Sequence, residues 1–172
     1  CACWRTASKP EACQQALTVL TQRTIPFEWA ETIMNLAIAY NSRIRGDHAQ
    51  NIEQAIAAYE QSLKVRTREA MPLEWAEAMG NLASAYVERI QGDRAENLEP
   101  AIDAYKQILQ VWTREAMPLR WAHAMRNLAG AYSKRIRGDP AENLETAIDV
   151  LKQSFQVWTR EAMPLEWAKA MG

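Results

Sequence analysis

The sequence has little glycine and almost no net charge, and it lacks any long apolar run. Six glycines and seven prolines in 172 residues are too few for a collagen-like or low-complexity chain. With 20 basic and 21 acidic residues the net charge is −1, so the broad positive field that attracts nucleic acid is missing. No apolar run approaches the roughly 20 residues of a membrane-spanning helix. We therefore expect a globular chain that binds neither nucleic acid nor a membrane.

The few cysteines and histidines form no pattern that supports catalysis. Cys1, Cys3 and Cys13 are an odd number clustered at one end, which is no disulfide framework. A metal site at this weak spacing is open in principle, but free thiols of a cytoplasmic chain are the preferred interpretation. His48 and His123 are not paired with a nucleophile by any motif, and no phosphate-binding loop is present. We expect no enzymatic activity, no metal and no cofactor.

The chain has instead a strong internal repetition with a period of 46 residues. Alignment of the first repeat (27–72), the second (73–118) and the third (119–164) leaves 24 of 46 positions identical in all three. Residues 1–26 then form a partial unit, and residues 165–172 begin a further one. Such spacing predicts a single helical-repeat domain over 1–172. Because repeat arrays need polar end caps for solubility and none is recognisable here, we expect a section of a longer protein.

Each repeat is predicted to hold two helices. The first helix begins after Pro72 and ends at Gly92, with one apolar face. This face holds Trp75, Met79, Leu82, Ala83, Tyr86 and Ile90. The second helix has two candidate starts. Asp93 with Glu96 resembles a capping box, but that start would place Pro100 inside the helix, so a start near Asn97 is preferred.

The second helix also has an apolar face, and neither helix can bury its face alone. The apolar residues of this helix are Leu98, Ala101, Ile102, Tyr105, Ile108, Leu109 and Trp112, followed by a linker over 113–117. Stacked neighbours would cover both faces, with small residues such as Ala83 and Ala101 permitting close approach. The pattern therefore predicts an all-α solenoid of antiparallel helix pairs.

The order of small and large residues resembles the tetratricopeptide repeat. The resemblance rests on 81–86 (Asn-Leu-Ala-Ser-Ala-Tyr), on Gly92-Asp93, and on Ala101-Ile102 with Tyr105, and it covers essentially the whole chain. It implies a right-handed superhelix that binds proteins or peptides. The usual unit has about 34 residues, so this unit is long. Such long units look like those that precede CHAT-type, caspase-like protease domains in bacterial proteins, notably cyanobacterial ones.

The resemblance implies that the first helices line a concave groove, and a polar stripe opposite the apolar face marks its floor. The stripe reads Glu31, Asn35, Ile38 and Ser42 in the first repeat, Glu77, Asn81, Ser84 and Glu88 in the second, and His123, Asn127, Gly130 and Lys134 in the third. The recurring asparagine offers a donor and an acceptor to the backbone of an extended peptide. A local hydrogen bond between helices is the alternative, and the sequence leaves both open.

The same face changes charge along the repeats. Glu31, Glu77 and Glu88 are acidic, whereas the third repeat has basic or neutral residues there, namely His123, Arg126 and Lys134. A partner could be oriented by this change, with its basic end toward the first repeat. A solvated helix surface without such a role is the alternative interpretation.

Two repeating residue types are assigned to structure. We expect a core position for the tryptophan of the first helix, which recurs as Trp29, Trp75, Trp121 and Trp167. Trp112 and Trp158 are expected to be partly exposed. The arginines Arg43, Arg89 and Arg135 are expected to cover neighbouring apolar surface or to meet a glutamate of the next repeat.

A protein- or peptide-binding scaffold is therefore the predicted function. The competing hypothesis is self-association through the uncapped ends, or packing against an effector domain, such as the CHAT protease-like domain, outside this chain.

Overall fold

The computed structural model describes residues 9–157, and the regular structure in that range is entirely α-helical. It has seven helices there: α1 (Lys9–Ala16), α2 (Pro26–Asn41), α3 (His48–Leu63), α4 (Pro72–Glu88), α5 (Arg94–Ile108), α6 (Pro118–Ser133) and α7 (Pro140–Phe155). Among α1–α4, and among α5–α7, helices that follow one another in sequence pack against each other. The predicted all-α fold of repeated helix pairs is confirmed.

The chain divides into two compact parts, Cys1–Gly92 and Asp93–Gly172. In the N-terminal part, α1 packs on α2, α2 on α3, and α3 on α4. In the C-terminal part, α5 packs on α6 and α6 on α7. Each part is therefore a stack in which a helix is covered by its neighbours in sequence. The extent of the repeat domain over 1–172 remains a prediction.

The first helix of each repeat starts at a proline, as the sequence predicts. Pro72 follows Met71, whose φ of −142° and ψ of 66° lie outside the helical region. The missing N–H of proline costs nothing there, because the first turn has no intrahelical acceptor for it. The turn before it is closed by Thr67, whose Oγ1 accepts from Ala70 N at 3.3 Å and whose carbonyl accepts from Met71 N at 2.9 Å.

The start of α5 differs from the preferred prediction. This helix begins at Arg94, because Asp93 caps it: Asp93 Oδ1 accepts from Ala95 N at 2.6 Å and from Glu96 N at 3.3 Å. The start near Asn97 is therefore wrong, and Pro100 lies inside the helix. The two cap hydrogen bonds outweigh the single one that proline removes.

Buried asparagines fix the loop between the two helices of a repeat. Asn51 Nδ2 donates to the carbonyl of Arg45 at 3.0 Å, and Asn143 Nδ2 donates to the carbonyl of Arg137 at 2.8 Å. Asn97 is the equivalent residue of the second repeat and is also buried. The asparagine therefore lies inside the second helix and holds the preceding loop, instead of capping the helix.

The first helix also ends earlier than predicted. Helix α4 stops at Glu88, and Gly92 follows in the loop with a φ of +80°, a conformation that side chains with a Cβ rarely adopt. Ile90, which the periodicity assigned to the apolar face, lies beyond the helix and is 64% exposed. A 3.6-residue period cannot show where the chain leaves the helix, so the assignment failed at this residue.

The two cores combine invariant positions with positions whose side chain varies between repeats. Ile52 and Tyr59 of α3 pack with Ala37, Ala78 and Leu82 in the N-terminal part. Ser62 Oγ adds a buried hydrogen bond to the carbonyl of Ala30 at 3.0 Å, which joins α3 to α2. In the C-terminal part the buried residues include Leu98, Ile102, Tyr105, Ile108 and Leu128.

The tryptophans only partly follow expectation. Trp75 is buried, whereas Trp29 and Trp121 are half-buried, and Trp158 and Trp167 lie outside the described residues. Trp112 was expected to be partly exposed, but it is buried, with 9% of its surface accessible. Trp112 lies beyond the end of α5, and the guanidinium of Arg120 lies 5.4 Å from its ring centroid. This contact covers a ring that helical periodicity assigns to the apolar face of the second helix.

Candidate functional site

The polar stripe of the first helices lies on an accessible face of α2 and α4. Glu31, Asn35 and Glu77 are exposed, and Asn81 is half-buried. Each of these helices starts at a proline, and its alanines pack inward. The stripe residues follow on the opposite face. The predicted stripe of the N-terminal part is therefore available to a ligand along most of its length.

In the second repeat, the last two residues of the stripe make hydrogen bonds, one within α4 and one to α2. Ser84 Oγ donates to the carbonyl of Gly80 at 3.1 Å within α4. Glu88 is exposed and accepts from Asn41 Nδ2 at 3.5 Å, which links the ends of α4 and α2. Glu88 also contributes, after burial, to the raised pKa of the Tyr59 phenol. These two residues therefore have structural roles at the end of the face.

A cavity of about 480 Å³ opens between α2 and α4. Its lining consists of Phe27, Glu28, Glu31, Met34, Asn35, Ile38, Arg66, Met71, Glu74 and Glu77. Three of the predicted binding residues, Glu31, Asn35 and Glu77, thus share one cavity. Its volume falls within the roughly 300–1,000 Å³ range of ligand pockets.

The cavity combines an apolar floor with a charged wall. Met34 is buried, whereas Ile38 and Phe27 are 42% and 58% exposed. Four carboxylates and the single guanidinium of Arg66 line the same space. Arg66 Nε is buried and, in the part of the chain that the structure describes, has no hydrogen-bond acceptor. The cavity thus offers apolar contact and excess negative charge.

Residues of the linker before α4 were missed as candidates. Arg66 and Met71 reach the cavity from outside the first helices, so helical periodicity could not place them. The signal that could have found Arg66 is variability, because its position holds tryptophan in the other two repeats. Glu28 and Glu74 share one repeat position that holds Arg120 in the third repeat, which is the same kind of signal.

In the C-terminal part, α6 exposes the third repeat's version of the stripe. His123, Arg126, Asn127 and Lys134 are all exposed. This face therefore has a basic character, whereas the face formed by α2 and α4 is acidic.

The amides of the three stripe asparagines make no side-chain hydrogen bond within residues 9–157. Asn35 and Asn127 are exposed, and Asn81 is half-buried. A local hydrogen bond between helices, the alternative role for these residues, is not formed there. Their donors and acceptors are therefore open to a ligand.

The repeated arginine forms a forked ion pair with a glutamate of the preceding repeat. Arg89 Nε and Nη2 both donate to Glu53 at 2.7 Å. Arg135 Nε and Nη2 donate to Glu99 at 2.8 and 2.9 Å. We expected a glutamate of the next repeat, and this was wrong: the glutamate belongs to the preceding repeat. The end of each of these first helices lies against the second helix of the preceding repeat.

The hydrogen bonds of these ion pairs shift the pKa values of Arg89, Glu99 and Arg135. The Arg135 hydrogen bonds lower the pKa of Glu99 more than partial burial raises it. The hydrogen bonds to Glu53 and Glu99 raise the pKa of Arg89 and of Arg135, respectively. Arg89, Glu99 and Arg135 therefore stay charged at neutral pH, and the two ion pairs join successive repeats.

Arginines also cover the tryptophans of the first helices. The guanidinium of Arg68 lies 5.5 Å from the ring centroid of Trp75, and that of Arg114 lies 5.9 Å from that of Trp121. This is within the distance of a cation–π interaction. The contact recurs at the same repeat positions, so we assign it to the repeat fold and not to ligand binding.

The described residues offer no centre for metal chemistry. Within residues 9–157, no three His, Cys, Asp or Glu side chains are grouped as metal ligands. Cys13 is a buried free thiol whose pKa is raised by burial, which disfavours the reactive thiolate. Cys1 and Cys3 lie outside the described residues. None of the described helices is both long and apolar enough to cross a membrane.

These features define a helical-repeat protein with an accessible polar face on its first helices. The sequence model of the tetratricopeptide repeat matches residues 29–69 and 75–111. These ranges lie in the first and second repeats, and the third repeat has the same 24 invariant positions. The chain belongs to the tetratricopeptide repeat family. No curated protein matches it significantly. Repeats of this family generally mediate protein–protein interaction and are typically scaffolds, not enzymes.

Proposed function

We propose that the chain is a scaffold that captures an extended segment of a partner protein along the exposed face of its first helices. The cavity between α2 and α4 carries the proposal, because it brings Glu31, Asn35 and Glu77 into one accessible space. An extended segment exposes its backbone N–H and C=O groups, and side-chain amides pair with both. The proposal assigns the chain no catalytic step.

The asparagines supply contacts that do not depend on the partner's sequence. Asn35, Asn81 and Asn127 occur once per repeat, 46 residues apart. The lack of local hydrogen bonds to these amides supports a role in ligand contact. The carboxylates on the face formed by α2 and α4 would then attract a basic part of the segment to this end of the chain.

A peptide selection tests this function directly. The probes are 12-residue peptides selected from a random library on the whole chain, resynthesised with a fluorescent label, and measured by fluorescence anisotropy. Replacing Asn35 and Asn81 with alanine removes two amides from the face. We expect each loss to weaken binding about five-fold, the effect of one hydrogen bond. A matched control removes two exposed amides from α3, by Gln54→Ala and Gln61→Ala.

Backbone recognition has a further signature in the peptide. Replacement of a single peptide amide by an ester removes one N–H donor while keeping the side chains. The ester that lies opposite Asn35 should weaken binding to wild type, but not to Asn35→Ala. If the selected peptides bind the double asparagine variant as tightly as wild type, the proposed face is not the binding surface.

Self-association is the second candidate, and α7 favours it. Leu144 and Ile148 are 51% and 42% exposed, whereas the equivalent Ile52 and Ile56 of α3 are buried. A second copy, or an effector domain outside this chain, could cover this apolar face. Sedimentation velocity over a concentration series separates the candidates, because self-association predicts a sedimentation coefficient that rises with concentration. In that case Leu144→Glu should restore a monomer.

A further inference from the structure

The cavity between α2 and α4 has the make-up of a pocket for one long cationic side chain. Its floor is apolar, with Met34 buried and Ile38 partly exposed. Carboxylates stand on both sides, Glu28 and Glu31 on α2, and Glu74 and Glu77 on α4. A side chain with an aliphatic stem and a charged head matches this arrangement, since the stem buries apolar surface while the head reaches the carboxylates.

We propose that this cavity binds an arginine side chain of the partner segment. The inference rests on the peptide-binding function proposed above and adds the residue that the first repeat recognises. Charge complementarity carries it: even without Glu77, three carboxylates (Glu28, Glu31 and Glu74) line the cavity with one guanidinium, that of Arg66, so a second cation still leaves an excess of negative charge.

Arginine fits the cavity better than lysine for two reasons. Its guanidinium carries five donors in a planar fork, so it can bond carboxylates on α2 and α4 together. Phe27 is 58% exposed at the cavity, and a planar cation stacks on such a ring. An ammonium group is a compact charge that lacks this fork and this flat face.

A minimal probe is N-acetyl-arginine N-methylamide, which has one arginine between two peptide bonds. It is titrated into the whole chain while the methyl NMR signals of Met34, Ile38 and Met71 are recorded. We expect saturable shifts of these three methyl groups. The citrulline analogue keeps the shape but removes the charge, and the lysine analogue keeps the charge but removes the fork, so both should bind more weakly.

One double variant tests the carboxylates. Glu31→Gln with Glu77→Gln removes one charge from each wall, and each change should weaken binding of the arginine probe about five-fold. The matched control is Glu69→Gln, which removes one carboxylate of the same part of the chain that does not line the cavity. Phe27→Leu should reduce the preference for arginine over lysine while keeping an apolar side chain. Circular dichroism of each variant confirms that the fold is retained.

The outcomes separate this inference from the function on which it rests. Selected peptides that need Asn35 and Asn81, combined with an arginine probe that leaves the three methyl groups unshifted, would overturn the arginine pocket alone. Equal binding of citrulline and arginine, or an unchanged affinity in the double glutamine variant, would do the same. Equal binding of lysine would overturn the choice of arginine. If neither the peptides nor the probe binds, both proposals fail.

Discussion

Helices α4 and α6 are two copies of one helix, and they differ almost only on their exposed faces. Trp75, Leu82 and Ala85 of α4 recur in α6 as Trp121, Leu128 and Ala131. The exposed positions change instead: Glu77 becomes His123, Gly80 becomes Arg126, and Glu88 becomes Lys134. Positions that pack are therefore held constant, while the accessible positions lose negative charge or gain positive charge. The comparison separates the residues that form the fold from those that can distinguish partners.

Substitution at the positions that α4 and α6 share is expected to have the largest effect, which is a loss of stability. Leu82 and Leu128 are buried in their separate cores, so replacing either with alanine should lower the free energy of unfolding by about 2–5 kcal/mol. Urea unfolding followed by circular dichroism measures this loss. Glu77→Ala and His123→Ala are the controls at exposed positions, and each should change the free energy of unfolding by less than about 0.5 kcal/mol. The equivalence of the two helices would be refuted if the two leucine variants differed by more than their controls.

The next effect distinguishes α5 from the other second helices. Pro100 lies inside α5, where α3 has Gln54 and α7 has Thr146. Pro100→Gln restores a backbone donor and removes a clash, so we expect a gain in stability of about 1–3 kcal/mol. Thermal unfolding by circular dichroism checks the sign. Gln54→Pro is the reverse change, and it should destabilise the chain; a stabilising Gln54→Pro would contradict this account of the helix.

The smallest effect concerns the forked ion pair of Arg135 and Glu99. About 29% and 22% of these side chains are accessible, so solvent reduces the contribution of the pair. Arg135→Ala should cost about 1 kcal/mol near pH 7, and Arg135→Lys should recover only part of it.

The pair also makes stability depend on pH. Its lowered pKa means that Glu99 stabilises the fold above the ordinary glutamate pKa of about 4.3, and that this stability is lost as the pH falls through the lowered value. The difference in unfolding free energy between wild type and Arg135→Ala should therefore narrow in acid. A difference that stays constant from pH 7 to pH 3 would show that the pair does not act through the charge of Glu99.

The sequence was sufficient for the fold because the same positions are apolar three times. Even one repeat shows the helical period at Trp75, Leu82 and Tyr86. The same pattern in the other two repeats shows that this period is not a chance arrangement. Helix ends were less predictable. The start of α5 depends on two cap hydrogen bonds of Asp93, which compete with Pro100, and a sequence pattern does not weigh those free energies against each other.

The candidate site was predictable only in part. Helical geometry put Glu31, Asn35 and Glu77 on the polar faces of their own helices, and the family resemblance implied that these faces lie in one groove. The three residues line one cavity. Arg66 and Met71 could not be placed in this way, because they belong to a linker whose path is set by tertiary packing. The direction of the Arg89–Glu53 contact was missed for a similar reason, since the two residues are 36 positions apart and only the stacking of helices brings them together.

The arginine–glutamate fork has a consequence for how such a chain can change length. Each fork joins the same two positions of successive repeats, so a duplicated 46-residue segment would bring its own arginine and its own glutamate in register. An inserted repeat would find a correct neighbour on each side without any compensating substitution. Partial segments would break the register and leave an unpaired charge. The array is thus modular in whole repeats, and each added repeat brings one more first helix with its own set of exposed residues.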